Sequence, residues 1–391
     1  MRWLAACVLG SLALACAEPP PPHGGVDAGF DAGRDGSLDD AGLDGAIASD
    51  ASPADAGTDA GADAGPTSGC ACPALPTDCD APAAGAPAFT PDALDAAGQL
   101  FSVVACAEEM LQIAIYQARW DCIERALSSA LARRPSLRVE LVVDDRECPP
   151  DSCDAELLRP SERVTIRRDA RTALMHHKFA IADRSLLWVG SANFTARSFC
   201  TDVNDALAID DPVIVDRYAA VFDRMFVEAR FGPVAPEGPT RSDPYTVYFG
   251  PESPVNAPPA WLIAMVAAIE AATRSIEVMV FSWTRTELSD ALVAAAARGV
   301  AVRALVAPLT AREAPPQALL AAGLDVRTAN VHSKVLVVDG ATVVTGSANW
   351  SASAWTNNES SLWIADAAIA AAYVARFEAA FAGAAAAERV P

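Results

Sequence analysis

One pattern occurs twice in the chain, as MHHKFAIADRSLLWVGSAN at residues 175–193 and as VHSKVLVVDGATVVTGSAN at residues 331–349. Both copies have the form His-x-Lys-x4-Asp-x6-Gly-Ser-x-Asn. Two copies with the same spacing at six positions indicate a repeated functional unit. A single His-x-Lys would be better explained as incidental surface residues.

The spacing predicts a β-hairpin in each copy. Side chains at i and i+2 of a strand share a face, so His176 and Lys178 should point together and His177 should point away. Asp339-Gly340 is a strong two-residue turn signal, and Asp183-Arg184 stands at the same place in the first copy. The return strand then brings Gly-Ser-x-Asn back beside the His end.

Each half therefore presents an imidazole, an ammonium, a hydroxyl and a carboxamide toward one point. The predicted catalytic residues are His176, Lys178, Asn193, His332, Lys334 and Asn349, and Ser191 and Ser347 support them. Asp183 and Asp339 fall at the turns, where a structural role is expected. Lys178 and Lys334 are the two lysines of the whole chain, which otherwise uses Arg. A compact ammonium is thus retained only in the motifs.

The double pattern resembles the HKD motif of the phospholipase D superfamily, over about residues 92–391. The resemblance implies an α/β fold of two lobes with mixed sheets flanked by helices. The lobes should be related by a pseudo-twofold axis, with one active site at their interface. Because both motifs lie in one chain, a monomer should suffice.

The resemblance also implies a mechanism. His176 would attack a phosphodiester phosphorus to form a phosphohistidine, and His332 would act as general acid and base. The lysines and asparagines would hold the phosphate oxygens, and neither a metal nor another cofactor is expected. A carboxylate should orient each histidine. Asp205 in Asn204-Asp205 and Glu359 in Asn358-Glu359 are the predicted orienting groups.

Alternating strands and helices predict one lobe at 70–235 and a second at 236–391. The Pro- and Gly-rich stretch 232–259 is the expected connection between them. Residues 17–69 contain six Asp-Ala-Gly triplets and few large apolar side chains, which predicts a disordered acidic tether. An irregular calcium-binding repeat is the alternative.

The first 16 residues predict an export signal, with a basic start and a short apolar run that ends at Cys16. A lipoprotein anchored at Cys16 and a freely secreted protein are both compatible with it. Eight further cysteines, at 70, 72, 79, 106, 122, 148, 153 and 200, favour disulfides in an oxidising compartment.

The formal net charge of −21 is shared between the tether and the remainder. Residues 17–66 hold eleven acidic residues against one arginine, and residues 67–391 are acidic as well. This argues against a broad groove for nucleic acid. A phospholipid or membrane surface is the expected partner, and an exported nuclease acting on DNA or RNA is the alternative. A non-catalytic binding module is disfavoured because both motifs are complete.

Overall fold

The protein is described by a computed structural model that covers residues 70–91, 94–149 and 160–390. The predicted signal at 1–16, the predicted tether at 17–69 and Cys153 lie outside the described residues. The described strands form a seven-stranded sheet, a nine-stranded sheet and a two-stranded ribbon.

The first sheet is built from the first half of the chain. Its strands are β1 (Pro87–Phe89), β2 (Met110–Ile115), β4 (Arg138–Val143), β5 (Val164–Arg168), β6 (Lys178–Ala182), β7 (Leu186–Gly190) and β9 (Asp205–Ile209). Strands β3 (Ala118–Arg119) and β8 (Phe194–Thr195) form the ribbon. The helices are α1 (Asp95–Cys106), α2 (Asp121–Arg133), α3 (Ala196–Cys200) and α4 (Pro212–Phe226).

The second sheet is built from the second half. Its strands are β10 (Thr240–Ser242), β11 (Tyr245–Gly250), β12 (Ser275–Val280), β13 (Ala301–Val306), β14 (Asp325–Thr328), β15 (Lys334–Val338), β16 (Thr342–Gly346), β17 (Glu359–Ile364) and β18 (Ala385–Ala386). The helices are α5 (Ala260–Ala271), α6 (Thr286–Ala297), α7 (Ala314–Ala321) and α8 (Ala367–Ala382), with short 3-10 turns at Thr310–Arg312 and Ser353–Trp355.

The two sheets repeat one strand order. The order β9-β7-β6-β2-β4-β5 in the first corresponds to β17-β16-β15-β12-β13-β14 in the second. In both, the last three strands are parallel and the hairpin strands are antiparallel. The contacts between the lobes are reciprocal, since Met175 pairs with Asn358 and Val331 pairs with Val203. This is the arrangement that an approximate twofold axis produces, as the sequence predicts.

Three hydrophobic clusters stabilise the arrangement. One fills the outer face of the first sheet beneath α1 and α2, and another fills the outer face of the second beneath α5 and α6. The third lies between the lobes and joins Phe179 and Ile181 of β6 to Val335 and Val337 of β15. Both motif strands are therefore buried on both faces, and the ends that carry His and Lys are rigidly supported.

Three disulfides fasten the lead-in segment to the first lobe, between Cys70 and Cys200, Cys72 and Cys122, and Cys79 and Cys106. Cys148 is disulfide-bonded as well. Pairing of this kind agrees with the expectation of an oxidising compartment. Among the described residues, none of the helices has the length and apolar character needed to cross a membrane.

The prediction for residues 232–259 was wrong in part. Strands β10 and β11 lie within this stretch and belong to the second sheet, where β11 pairs with β17. The Pro and Gly residues lie around and between these two strands, so the connecting segment is shorter than the composition indicates.

Candidate active site

Both motif hairpins have the predicted two-residue turn. Asp183 and Arg184 have φ values of 48° and 52°, and Asp339 and Gly340 have values of 54° and 56°. The Asp183 carboxylate accepts hydrogen bonds from three backbone N–H groups, those of residues 108, 109 and 110, at 2.8–2.9 Å. Asp339 does the same with residues 273–275. At about 3.4 Å per residue, Asp183 lies roughly 17 Å from Lys178, where it fixes the turn.

The pKa of Asp339 reflects this position. Burial alone would raise the pKa, but the N–H groups of Arg274, Thr273 and Ser275 outweigh it and lower the pKa below its usual value. The carboxylate is thus held ionised as a structural hydrogen-bond acceptor.

The paired His and Lys side chains lie at the opposite end of each hairpin. Lys178 Nζ donates to the backbone carbonyl of His176 at 2.8 Å, and Lys334 Nζ donates to that of His332 at 2.6 Å. The four side chains are buried, with exposed fractions of 0–5 %. His177 points to the other side of β6, as predicted, and its ring packs against Phe179 and Phe249.

His176 is oriented from the other lobe. Its Nδ1 lies 2.8 Å and 3.0 Å from the two carboxylate oxygens of Glu359, at the start of β17. A carboxylate on Nδ1 directs Nε2 toward the reacting group and stabilises the charged imidazole. Glu359 therefore lies where the predicted orienting group should be.

His332 is oriented from the first lobe, but not by the residue that the sequence predicts. Its Nδ1 lies 2.9 Å from Oδ1 of Asn204. Asp205 instead accepts from Ser191 Oγ and Tyr373 OH, each at 2.9 Å, and from Thr345 Oγ1. The prediction of Asp205 as the orienting group was wrong: Asn204, the residue before β9, faces His332, and the next side chain points elsewhere.

Asp205 accepts hydrogen bonds that cross the interface between the two lobes. Thr345 of β16 and Tyr373 of α8 belong to the second lobe and donate to this fully buried carboxylate of the first. Burial, and then the charge of Asp205, raise the pKa of Tyr373 well above its usual value, so the phenol remains a donor.

Each Gly-Ser-x-Asn segment is held against the strand that follows its motif, β9 in the first lobe and β17 in the second. Ser191 Oγ accepts from Asp205 N at 3.1 Å, and Ser347 Oγ accepts from Ser360 N at 3.0 Å. A Cβ on Gly190 would lie 2.2 Å from the carbonyl oxygen of Asp205, and one on Gly346 would lie 2.4 Å from that of Ser360. Glycine permits this close approach, which brings the asparagines to the site.

Asn193 and Asn349 are both buried. Asn193 Nδ2 donates to Gln117 Oε1 at 3.2 Å. The carboxamide oxygens of both residues have no hydrogen-bond partner among the described residues. Buried polar atoms are rarely left unpaired, so these acceptor oxygens indicate a space that a hydrogen-bond donor such as water would occupy.

Two aromatic residues complete the site and were not predicted. The Tyr116 ring lies 5.1 Å from that of His176, and the Phe281 ring lies 4.6 Å from that of His332. The same rings lie 5.3 Å from Lys178 Nζ and 5.2 Å from Lys334 Nζ. Both residues come directly after equivalent strands, β2 and β12, and this repeat is the sequence feature from which they could have been predicted.

A carboxylate cluster lies behind the first motif, at the ends of β4 and β5. Asp144, Asp145 and Asp169 bring their carboxylates within 4.8 Å of one another. Asp144 accepts from the N–H of Met175, the residue before His176, at 2.9 Å. Burial, and then the charge of Asp144, raise the pKa of Asp169 to about 7.

Comparison with known proteins supports the interpretation of the motifs. A model of the family described as "Cardiolipin synthase, PLD-like domain" matches residues 100–226 and 265–381. Mitochondrial cardiolipin hydrolase of Xenopus laevis is 30 % identical over 122 residues, which are 31 % of this chain and 57 % of that protein. The Xenopus tropicalis protein of the same name is 27 % identical over 163 residues, which are 42 % of this chain and 69 % of that protein. The chain thus spans a little more than half to about two thirds of these relatives.

Among solved structures, phosphatidylserine synthase of Haemophilus influenzae Rd KW20 superposes with a TM-score of 0.59 at 12 % identity. The match covers 77 % of this chain and 87 % of that one, and at this identity it concerns the fold alone. The family match includes both motif hairpins and most of both sheets. The chain therefore belongs to the phospholipase D superfamily of phosphodiesterases, with two PLD-like lobes in one polypeptide.

Proposed function

We propose that the protein hydrolyses phospholipid phosphodiester bonds through a phosphohistidine intermediate. The observation that carries the proposal is the reciprocal orientation of the two histidines. The Nδ1 atoms of His176 and His332 are each held from the opposite lobe, by Glu359 and Asn204. A hydrogen bond at Nδ1 fixes the orientation of each ring and leaves Nε2 as the nitrogen that would react.

The reaction would proceed in two displacements. In the first, Nε2 of His176 forms a bond to phosphorus, the bond to the leaving oxygen breaks, and His332 gives that oxygen a proton. In the second, His332 takes a proton from water, the water oxygen bonds to phosphorus, and the bond to His176 breaks. Acid–base assistance of this kind is typically worth about 10² to 10⁴ in rate.

The remaining motif residues would stabilise the phosphate. An ammonium carries three N–H donors, and each lysine uses one of them on the carbonyl of its own histidine. This bond anchors the charge beside the reacting atoms. Lys178, Lys334, Asn193 and Asn349 would then bind the non-bridging oxygens as negative charge develops.

The exposure of the two motifs favours the stated order of roles. His332 and Asn349 are 5 % and 8 % exposed, whereas His176 and Asn193 are 0 % and 2 % exposed. Solvent therefore approaches from the second motif. The histidine that activates water should lie on that side, and the nucleophile on the enclosed side.

A lipid substrate is favoured by two observations. The curated relatives with 27–30 % identity are named as cardiolipin hydrolases. The chain is also acidic and has no lysine beyond the two of the motifs, which suits a polyanionic polymer poorly. Export, either as a lipoprotein anchored at Cys16 or as a free protein, would bring the enzyme to membrane lipid.

The test is hydrolysis of phosphatidylcholine and cardiolipin vesicles and, separately, of single- and double-stranded DNA, all in chelator. Release of phosphatidic acid, abolished in His176→Ala and in His332→Ala, is the expected result. His23→Ala, which removes the histidine outside both motifs, serves as the matched control and should retain full activity. DNA cleavage without a lipid product would replace the proposal by a nuclease, and full activity in either motif variant would refute the mechanism.

A further inference from the structure

The two histidines of the site have different partners at equivalent positions. Gly190 pairs with Ala206 in the first sheet, and Gly346 pairs with Ser361 in the second. Two positions before these partners lie Asn204 and Glu359. The register thus equates an amide in the first lobe with a carboxylate in the second, although each crosses the seam to the Nδ1 of the facing histidine.

The hydrogen bonds of Asn204 fix which atom faces His332. Its Nδ2 donates to the carbonyl of Ser198 at 2.9 Å, while its Oδ1 accepts from Ser191 Oγ at 2.8 Å. The Oδ1 that lies 2.9 Å from His332 is therefore an acceptor, and Nδ1 of His332 carries the hydrogen. The Nδ1 of His176 therefore faces a carboxylate, whereas the Nδ1 of His332 faces an amide oxygen.

Each ring also has a lysine of its own motif beside it. Lys334 lies 3.5 Å from both ring nitrogens of His332, and Lys178 holds the equivalent position on the strand of His176. Asp205 lies behind Asn204, but Thr345 and Tyr373 donate to its carboxylate. The difference between the histidines is therefore set by the direct partner.

We propose that Asn204 acts as a positioning residue that makes the proton affinities of the two histidines unequal. This inference rests on the function proposed above. The proton shared by the two histidines rests on His176 beside Glu359, and the cationic phosphohistidine forms there. An opposite charge in contact favours the protonated form of a base by about one to three pH units. A neutral amide gives no comparable stabilisation, so His332 is the stronger acid.

The histidine that attacks phosphorus is determined by where the positive charge of the adduct forms. Both possible orders start from the same resting state, in which one proton is shared. If His176 attacks, the positive charge of the adduct forms beside the carboxylate of Glu359. If His332 attacks, that charge forms beside an amide. Since the lower transition state governs the rate, attack by His176 dominates, even though the proton must first be on His332.

The first test needs no substrate. The chain contains four histidines, so ¹⁵N-histidine NMR gives few ring signals, which His23→Ala and His177→Phe help to assign. The His176 ring should keep its Nε2 proton to a pH at least one unit above that of His332. Midpoints within 0.3 pH units, or a higher midpoint for His332, would overturn the proposal (about a tenfold difference in proton affinity per unit).

Two substitutions test the cause. Glu359→Gln should lower the His176 midpoint by at least one unit and should not lower that of His332, because the shared proton then moves toward His332. Asn204→Asp should raise the His332 midpoint, with Asn358→Asp as a control that adds the same charge at the neighbour of Glu359. Because the new oxygen of Asn204→Asp would face the Ser198 carbonyl, Glu359→Gln is the variant that decides if the other does not fold.

The second test locates the adduct. Trypsin releases His176 in the peptide Thr172–Lys178 and His332 in Thr328–Lys334. When the reaction with phosphatidylcholine is stopped at neutral pH, the phosphatidyl group should be found on His176 of the first peptide. An adduct on the second peptide would refute the inference while upholding the proposed hydrolase. No adduct and no hydrolysis would refute the proposed function, whereas the NMR midpoints would still decide where the proton rests.

Discussion

The substitution Asp169→Asn should stabilise the protein at neutral and alkaline pH. Asp169 is 6 % exposed, and its Oδ1 accepts from the N–H of Asp145 at 3.0 Å. Its Oδ2 has no hydrogen-bond partner among the described residues. An asparagine keeps the acceptor, and its new Nδ2 can donate to the neighbouring Asp144. The variant thus imitates the protonated form of the wild-type residue.

The magnitude follows from the pKa. Burial, and then Asp144, raise the pKa of Asp169 from 3.8 to about 7. An acid with a raised pKa binds more protons when folded, so stability falls as pH rises from 3.8 to 7. At about 1.36 kcal/mol per unit, the wild type loses up to about 4 kcal/mol by pH 8 and about 1.6 kcal/mol by pH 5. Asp169→Asn should lose neither.

The assay is urea denaturation followed by tryptophan fluorescence at pH 5 and pH 8. The gain in unfolding free energy should be larger at pH 8 by about 2 to 3 kcal/mol. Asp145→Asn is the control, since it removes a charge from the same cluster at a more exposed position. A gain that is absent, or independent of pH, would refute the reasoning.

Two further predictions concern buried groups. Burial, and then Arg224, lower the pKa of His177 well below 6.5, so the unfolded chain alone takes up this proton as pH falls. The wild type should therefore lose stability as pH falls below 6.5, a loss that His177→Phe avoids in urea melts, and equal pH dependence of both proteins would contradict this. Gly190→Ala should lower the melting temperature markedly because its Cβ would meet Asp205, whereas Gly98→Ala in α1, with open space around its Cβ, should leave it unchanged or raise it; similar effects of both would contradict the packing argument.

The sequence by itself determined the motif hairpins and the turns that close them. These depend on residues close together in the chain. The alternation of side chains at the start of β6 sets His176 and Lys178 apart from His177, and both turns adopt positive φ at their two central residues. Most strands and helices around the motifs also follow from local periodicity.

Only the tertiary structure decided which residue orients each histidine. The connection from Gly190 to its partner Ala206 is one residue longer than that from Gly346 to Ser361. The similar letters Asn204-Asp205 and Asn358-Glu359 therefore lie out of register, and a shift of one residue in a strand turns a side chain to the other face. The contacts of Glu359 with His176 and of Asn204 with His332 cross the seam between lobes. Such contacts depend on how two separately folded sheets pack, which the spacing within either half does not contain.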